Sequence, residues 1–148
     1  MRPVLATLVL VAAVLSTPAR AALPPNVEKA LGDATYVYVQ SQRKDGTWSK
    51  PAEIWFHVDK GRVCVGTRPS SWRVRRIGWG RTKARIAVGK ADGPSFEATG
   101  ALVHDATVEA RLMDDYAKKY PDGWKKFEGN FRDGFKSGER VVVCYTPK

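Results

Sequence analysis

A chain of 148 residues with a formal charge of +10 is long enough for one domain with a single hydrophobic core. Its 25 Lys and Arg residues against 15 Asp and Glu residues predict an anionic neighbour. The sequence shows no internal repeat, and its two Cys and two His residues have no spacing typical of a metal site. We therefore expect one domain without a metal, and packed or surface positions for His57 and His104.

Residues 1–21 have the features of an export signal. Arg2 gives a basic start, residues 4–15 form an apolar run, and the Ala-Arg-Ala pattern at 19–21 resembles a cleavage site. The apolar run is too short to span a bilayer comfortably, and no second hydrophobic span follows. We expect 1–21 to be a signal peptide and 22–148 to be a single mature domain, periplasmic or secreted, with no stable membrane span.

The first part of the mature domain is predicted to form a short helix and a three-strand meander. Asn26 is a candidate cap for a helix that ends at Gly32. Alternating β-branched and aromatic residues, with glycine turns between them, predict strands at 35–42, 50–58 and 63–66.

The remaining elements are predicted from the same kinds of pattern. Pro69 at a first helical position indicates a helix of one or two turns to Ile77. Asp105 is a candidate cap for a second helix, and an aromatic stripe follows the break at Pro121 with helical spacing. That stripe predicts core or an interface between subunits, with a ring-stacking lid as the alternative. The other predictions are a hairpin of strands 84–88 and 95–103, the second helix at 106–118, the stripe Trp124, Phe127, Phe131 and Phe135, and a last strand at 141–145.

Positive charge is concentrated between Lys60 and Ala91, where nine further Lys or Arg residues occur without any Asp or Glu. Such a block favours an anionic ligand, and an exported chain rarely meets nucleic acid. A phosphorylated small molecule therefore fits better, although a solvated basic face is the alternative.

The segment Gly66–Ile77 concentrates the groups that bind phosphate. It places Ser70, Ser71 and Arg73 where a strand passes into a short helix. Hydroxyls, free backbone N–H groups and a forked guanidinium hold phosphate by charge-assisted hydrogen bonds. We interpret this segment as a phosphate clamp.

Cys64 and Cys144 both lie in apolar runs predicted to be strands. Export would permit a disulfide between them, but only if the two strands come close. A disulfide and two buried free thiols therefore both remain open.

Three short stretches resemble the flavin-binding split-barrel family, which includes pyridoxamine 5'-phosphate oxidases and deazaflavin-dependent reductases. They are Pro51–Val58, Val63–Thr67 after a short turn, and Ser71-Trp72-Arg73 with Ile77. The resemblance implies a mainly β protein with α-helices, an α+β fold built on a six-stranded split β-barrel. It also implies a homodimer with the cofactor at the subunit interface.

The resemblance also implies a set of cofactor-binding residues. Ile54 and Trp55 would contact the flavin ring largely through backbone groups, and Gly66 and Thr67 would reach the ribityl and phosphate region. Ser71 and Arg73 stand where the family's phosphate-binding Ser and Lys stand, and Arg can grip two phosphate oxygens. Trp72, between them, replaces a basic residue of the pyridoxamine phosphate oxidases.

The expected function is that of an oxidoreductase of this type, with FMN as cofactor and an unknown small-molecule substrate. A deazaflavin coenzyme is the alternative cofactor, and haem is a further one. Because the chemistry would belong to the cofactor, no catalytic residue is assigned. Glu53 is either an acid–base group or the partner of a neighbouring Arg. The rival hypotheses are a non-catalytic flavin or haem carrier or sensor of the cell envelope, and a scaffold without cofactor.

Overall fold

The computed structural model describes residues 21–148, so the predicted signal peptide lies, apart from Ala21, outside the described residues. Within 21–148, no helix is long and apolar enough to cross a membrane. The described residues form four helices and seven strands, in the order α1 Pro25–Asp33, β1 Val37–Ser41, β2 Ala52–Ile54, β3 His57–Asp59, β4 Arg62–Thr67, α2 Trp72–Gly78, β5 Lys83–Val88, β6 Ser95–Val103, α3 Ala106–Lys119, α4 Pro121–Ser137 and β7 Val141–Pro147.

The seven strands form one antiparallel sheet in the order β2-β1-β5-β6-β7-β4-β3. Strands β2 and β3 lie at opposite edges of this sheet, yet only Trp55 and Phe56 separate them in the chain. Two residues cannot span a flat seven-stranded sheet, because neighbouring strands lie about 4.8 Å apart. The sheet therefore curls into a barrel, and the predicted α+β split barrel is confirmed.

The single strand predicted at 50–58 is divided, which raises the strand number from six to seven. Residues 52–54 pair with β1, whereas residues 57–59 pair with β4 on the other edge. The chain changes partner at Trp55 and Phe56, where it crosses between the two edges. The predicted three-strand meander is therefore interrupted within its second strand, the one predicted at 50–58.

Two tyrosine hydroxyls satisfy the backbone where this crossing leaves it without a strand partner. Tyr116 Oη donates to the carbonyl of Trp55 at 2.9 Å and accepts from the N–H of Gly66 at 3.2 Å. Tyr120 Oη donates to the carbonyl of Thr35 at 2.8 Å and accepts from the N–H of Phe56 at 3.1 Å. Each hydroxyl thus ties the crossing segment to another part of the barrel. Burial raises the pKa of both tyrosines, so both remain protonated donors.

The helix starts differ from the predictions at three places and agree at one. Helix α1 begins at Pro25, so Asn26 lies inside it rather than at its cap. Helix α2 begins after Ser71, which leaves Pro69 in the preceding turn, and Pro121 starts α4 as a first helical residue. Asp105 caps α3 as predicted, because its carboxylate accepts from two N–H groups of the first turn.

The two cysteines form a disulfide, which settles the alternative that the sequence left open. Cys64 in β4 and Cys144 in β7 are directly opposed in the antiparallel ladder, with their Cα atoms 4.1 Å apart. Both are buried in the apolar cluster that joins the sheet to α3 and α4. The second apolar cluster fills the barrel and includes Val37, Ile86 and Val143.

A buried carboxylate joins the edge strand β3 to α3. Asp59 accepts from Arg62 at 2.7 Å and from Arg111 at 2.9 Å and is only 3% exposed. Burial alone would raise the pKa of Asp59, but the hydrogen bonds from both arginines outweigh it and lower the pKa.

Replacing Asp59 by Asn should lower the free energy of unfolding at pH 7 by about 1–3 kcal/mol, because two charge-assisted hydrogen bonds are lost. Since the folded pKa is lowered, this stabilisation exists above the unfolded pKa of about 4 and is lost as the pH falls through the folded value. Urea unfolding at pH 7 and pH 3 should therefore show a difference between parent and variant that shrinks in acid. Asp114→Asn, on the exposed side of α3, is the control. An equal difference at both pH values would contradict the assignment.

Candidate functional site

Two adjoining cavities meet at Ser71 and form a groove beside the edge strand β2. The first, which we call the aromatic cavity, has a volume of about 470 Å³. Strand β2, the end of β4 and helix α4 surround it. It is lined by Glu53, Ile54, Trp55, Gly66, Thr67, Arg68, Ser70, Ser71, Phe127, Phe131 and Arg140.

The second cavity, which we call the basic cavity, has a volume of about 520 Å³. It lies between strand β1, the segment that precedes β2, and the start of α2. Four cationic residues and no carboxylate line it, and three serines add hydroxyls. Its lining residues are Val39, Ser41, Arg43, Ser49, Lys50, Ala52, Ser71, Trp72, Arg73 and Arg76.

Every residue that the sequence assigned to cofactor binding lines this groove. Four of them (Ile54, Trp55, Gly66 and Thr67) line the aromatic cavity, Trp72 and Arg73 line the basic cavity, and Ser71 lines both. The residues that the sequence predicts to form one site therefore lie along one groove in the fold. Their roles toward a ligand stay predictions.

Two buried polar atoms at the junction of the cavities have no hydrogen-bond partner within the described residues. They are Ser71 Oγ and Arg73 Nη1. Ser71 precedes the first residue of α2, but its side chain makes no capping hydrogen bond. Because an unsatisfied buried donor costs roughly 1–3 kcal/mol, each of these two atoms could be stabilised by an added acceptor.

The basic cavity is also electrostatically strained by like charges. Arg76 donates to Ser41 Oγ at 2.6 Å, which holds its guanidinium at the wall. Burial lowers the pKa of Arg76, and the nearby charges of Arg43 and Arg81 lower it further. A bound anion would relieve this repulsion, and the nearby serine hydroxyls would add hydrogen bonds.

The aromatic cavity is built on Trp55, at the point where the chain crosses between the sheet edges. Its indole stacks on Tyr120 with a centroid distance of 4.4 Å and on Phe131 at 6.3 Å. The indole also fits over α4 at Gly123, where a Cβ atom would lie 2.5 Å from it. This packing explains why the strand breaks at Trp55 and why the cavity has a flat apolar wall.

The stripe of aromatic residues on α4 divides between core and cavity. Trp124 and Phe131 are each 6% exposed, as expected for core residues, but Phe131 also faces the aromatic cavity. Phe127 lines the same cavity and is 44% exposed. The stripe is thus core at Trp124 and Phe131, and the ring-stacking lid stays a prediction for Phe127.

Glu53 has a different partner from the Arg that the sequence suggested. Tyr38 on β1 donates its hydroxyl to Glu53 Oε2 at 2.5 Å across the β1–β2 pair. This hydrogen bond is the main cause that raises the pKa of Tyr38. Glu53 lines the aromatic cavity, so an acid–base role stays compatible with its position.

Sequence reasoning missed Arg140, which reaches the aromatic cavity from the start of β7. Its Cζ lies 4.6 Å from the centroid of the Phe131 ring. Arg140 directly follows Glu139 and lies far along the chain from the basic block, so no local pattern marked it. Only the packing of its guanidinium on Phe131 in the folded structure reveals its place at the cavity.

Replacing Gly66 by Ala should lower the free energy of unfolding by about 1–3 kcal/mol, because the core is overpacked there. The added Cβ would lie 2.8 Å from Phe131 Cε1 and 3.5 Å from Phe135 Cζ, so Phe131 would have to move. Thermal and urea unfolding measure this loss. Gly129→Ala, whose added Cβ meets nothing within 4 Å, is the matched control and should be neutral or stabilising. Equal stability of both variants would show that Phe131 moves without cost.

No protein-family model matches the sequence, and no curated protein matches it. Solved structures do match in three dimensions. A pyridoxamine 5'-phosphate oxidase-like protein from Listeria innocua matches with a TM-score of 0.59 and 13% identity, covering 82% of this chain and 90% of its own. A haem storage protein from Vibrio cholerae matches with a TM-score of 0.57 and 10% identity, covering 86% and 92%.

An F420 reductase matches with a TM-score of 0.53 and 20% identity, covering 85% of this chain and 96% of its own. At these identities the comparisons show a shared fold. The resemblance to the flavin-binding split-barrel family is thus confirmed at the level of the fold, over most of the chain.

Proposed function

We propose that this split-barrel chain binds FMN, or a deazaflavin coenzyme of similar build, along the groove and acts with it as an oxidoreductase outside the cytoplasm. The observation that carries the proposal is the joining of two unlike cavities at Ser71, one flat and aromatic, the other cationic without a carboxylate. A flavin mononucleotide has the same two parts, a flat ring system and a phosphate. Solved structures of the same fold include an F420 reductase and a pyridoxamine 5'-phosphate oxidase-like protein, which supports the choice of ligand.

The residues present fit such a ligand. Ser71 Oγ and Arg73 Nη1 are buried donors without a partner, and Lys50 and Arg43 line the same cavity, so a phosphate there would accept from several charged groups. Ile54 and Trp55 would hold the ring against the edge strand β2, with Phe127 and Phe131 on the α4 side.

A bound flavin would supply electron or hydride transfer, while this chain would bind and orient it and limit access of water. Glu53 is the carboxylate that lines the aromatic cavity. Its hydrogen bond with Tyr38 holds the side chain at the cavity wall. Glu53 is therefore our candidate for a group that orients a substrate or exchanges a proton with it.

Two further parts of the proposal concern location and assembly. The disulfide between Cys64 and Cys144 supports export, because disulfides persist mainly in oxidising compartments. We also propose a homodimer that covers the groove. Trp72 lines the basic cavity yet is 59% exposed, and the burial of such a side chain by a second chain would be favourable.

A non-catalytic carrier or sensor that uses the same groove is the second candidate function. A haem storage protein shares the fold, which favours this candidate. However, neither cavity is lined by a His, Cys or Met side chain from the described residues, so the groove itself offers none of these common axial ligands to haem iron. We therefore rank a flavin above haem for this groove.

The test is a titration of the mature protein, from Ala22 onward, with FMN while flavin fluorescence is followed. We expect saturable binding of one FMN per chain and a perturbed flavin absorption spectrum. Reoxidation of the reduced complex by added acceptors would then distinguish an enzyme from a carrier. A folded protein that binds neither FMN nor a deazaflavin would overturn the proposal.

A further inference from the structure

A third cavity, which we call the arginine cavity, opens from the aromatic cavity on the side away from Ser41 and Lys50. Its volume is about 740 Å³. It shares Arg68, Ser70 and Arg140 with the aromatic cavity and extends along the C-terminal half of α4. The aromatic cavity therefore adjoins arginines on two sides, although Asp133 and Glu139 also line the arginine cavity, and FMN carries only one phosphate.

The fold holds the Arg140 side chain in place at this opening. Its guanidinium lies over the Phe131 ring, and its backbone N–H donates to the carbonyl of Gly134 at 3.0 Å. A Cβ atom at Gly134 would lie 2.4 Å from Arg140 Cγ, so the arginine crosses α4 where glycine leaves room. Because its stem is packed on both sides, little conformational entropy is lost when its head binds a ligand.

Arg68 and Arg140 each line both the aromatic cavity and the arginine cavity. Neither forms an ion pair within the described residues. Burial lowers the pKa of Arg140, and the positive charge of Arg68 lowers it further. The carboxylates that line these two cavities are Glu53, which Tyr38 engages, together with Asp133 and Glu139. An anion between the two guanidinium groups would relieve their repulsion.

We propose that Arg68 and Arg140 form a subsite for the anionic group of the substrate, a small organic acid with a carboxylate or phosphate. The rest of that substrate would lie in the aromatic cavity, next to the bound ring. The assignment of this subsite to a substrate rests on the proposed function. The presence of an anion site between the two arginines does not.

Phenyl phosphate is a suitable probe, because it joins a flat apolar ring to a phosphate. It is titrated into the FMN-loaded protein while the flavin spectrum is followed. We expect saturable binding that weakens about tenfold or more in Arg68→Ala and Arg140→Met, since each variant removes a charge-assisted hydrogen-bond donor. FMN affinity is measured for each variant as well, because both residues also line the aromatic cavity, and the probe affinities are compared at saturating FMN. Methionine retains most of the apolar stem over Phe131, so the Arg140 variant tests charge rather than packing.

Arg132→Ala, which removes an exposed guanidinium from α4 outside all three cavities, is the control and should bind the probe like the parent. Equal probe affinity in parent, Arg68→Ala and Arg140→Met would overturn the subsite. If the probe binds only to cofactor-free protein and depends there on Arg140, the site belongs to an extended cofactor, and the substrate proposal is wrong.

A separate titration distinguishes failure of the proposed function from failure of the anion site. If the parent binds no FMN, the probe is titrated by calorimetry into an Arg73→Ala background, in which the basic cavity is weakened. If an additional Arg140→Met substitution removes probe binding in that background, the result supports the anion site. Unchanged probe binding would overturn it.

Discussion

Replacing Arg73 by Ala should weaken FMN binding by about 10- to 100-fold, the loss expected when a phosphate loses charge-assisted hydrogen bonds to a guanidinium. Arg73 lines the basic cavity, and its Nη1 is buried without a partner in the protein alone. A phosphate that binds this guanidinium would therefore not have to displace another acceptor among the described residues from Nη1. Fluorescence titration with FMN measures the change.

The fold should survive this substitution, because Arg73 Nη1 makes no hydrogen bond that the variant would break. Arg73→Lys should retain part of the affinity, since lysine keeps the charge but not the fork. Arg75→Ala removes the same charge two residues away, outside the three cavities, and is the matched control. A folded Arg73→Ala protein that binds FMN as tightly as the parent would show that the phosphate lies elsewhere.

Replacing Cys64 and Cys144 together by Ala should lower the free energy of unfolding by about 2–5 kcal/mol. The disulfide joins residues 80 positions apart, so it restricts a large part of the unfolded chain. Total stabilities of single domains are only about 5–15 kcal/mol, so the loss would be a large share. Urea unfolding of the parent and the double variant at neutral pH measures it.

Reduction provides an independent check of the same bond. A reducing agent should destabilise the parent to nearly the level of the double variant and leave the double variant unchanged. Alanine is preferred to serine because the two positions are 0% and 1% exposed, where a hydroxyl would need a partner. Equal stability of the oxidised parent and the double variant would contradict the stabilising role.

Local patterns predicted most helices and strands of this fold, and non-local contacts explain where they failed. The hairpin of β5 and β6, the cap at Asp105 and the last strand follow from alternation, turn glycines and capping chemistry. The division of the strand at Trp55 does not, because its backbone partners are hydroxyls about 60 residues further along the chain. The pairing of Cys64 with Cys144 likewise depends on the order of strands, which alternation leaves undetermined.

The residues of the candidate site were predictable except for Arg140, whereas the way in which α4 closes the aromatic cavity was not. The residues around β2 and the segment after β4 are marked by hydroxyls, arginines and a family resemblance, and they do line one groove. Phe127, Phe131 and Arg140 complete the aromatic cavity from α4 and β7. Their contribution depends on how α4 packs across Trp55 and on the space at Gly134, neither of which is encoded in a short motif.

The tyrosine hydroxyls at the crossing segment also affect how the barrel can open and close locally. Elsewhere the strands are joined by backbone ladders, which open only when several hydrogen bonds break in succession. At Trp55 and Phe56 the side chains of Tyr116 and Tyr120 contribute four hydrogen bonds, and Lys119 Nζ donates a fifth to the carbonyl of Phe56. Tyr116 lies in α3 and Tyr120 directly follows it, so a shift of this helix end would break these hydrogen bonds without breaking a backbone ladder. Because Trp55 lines the aromatic cavity, we expect the width of that cavity to depend on the position of this helix end.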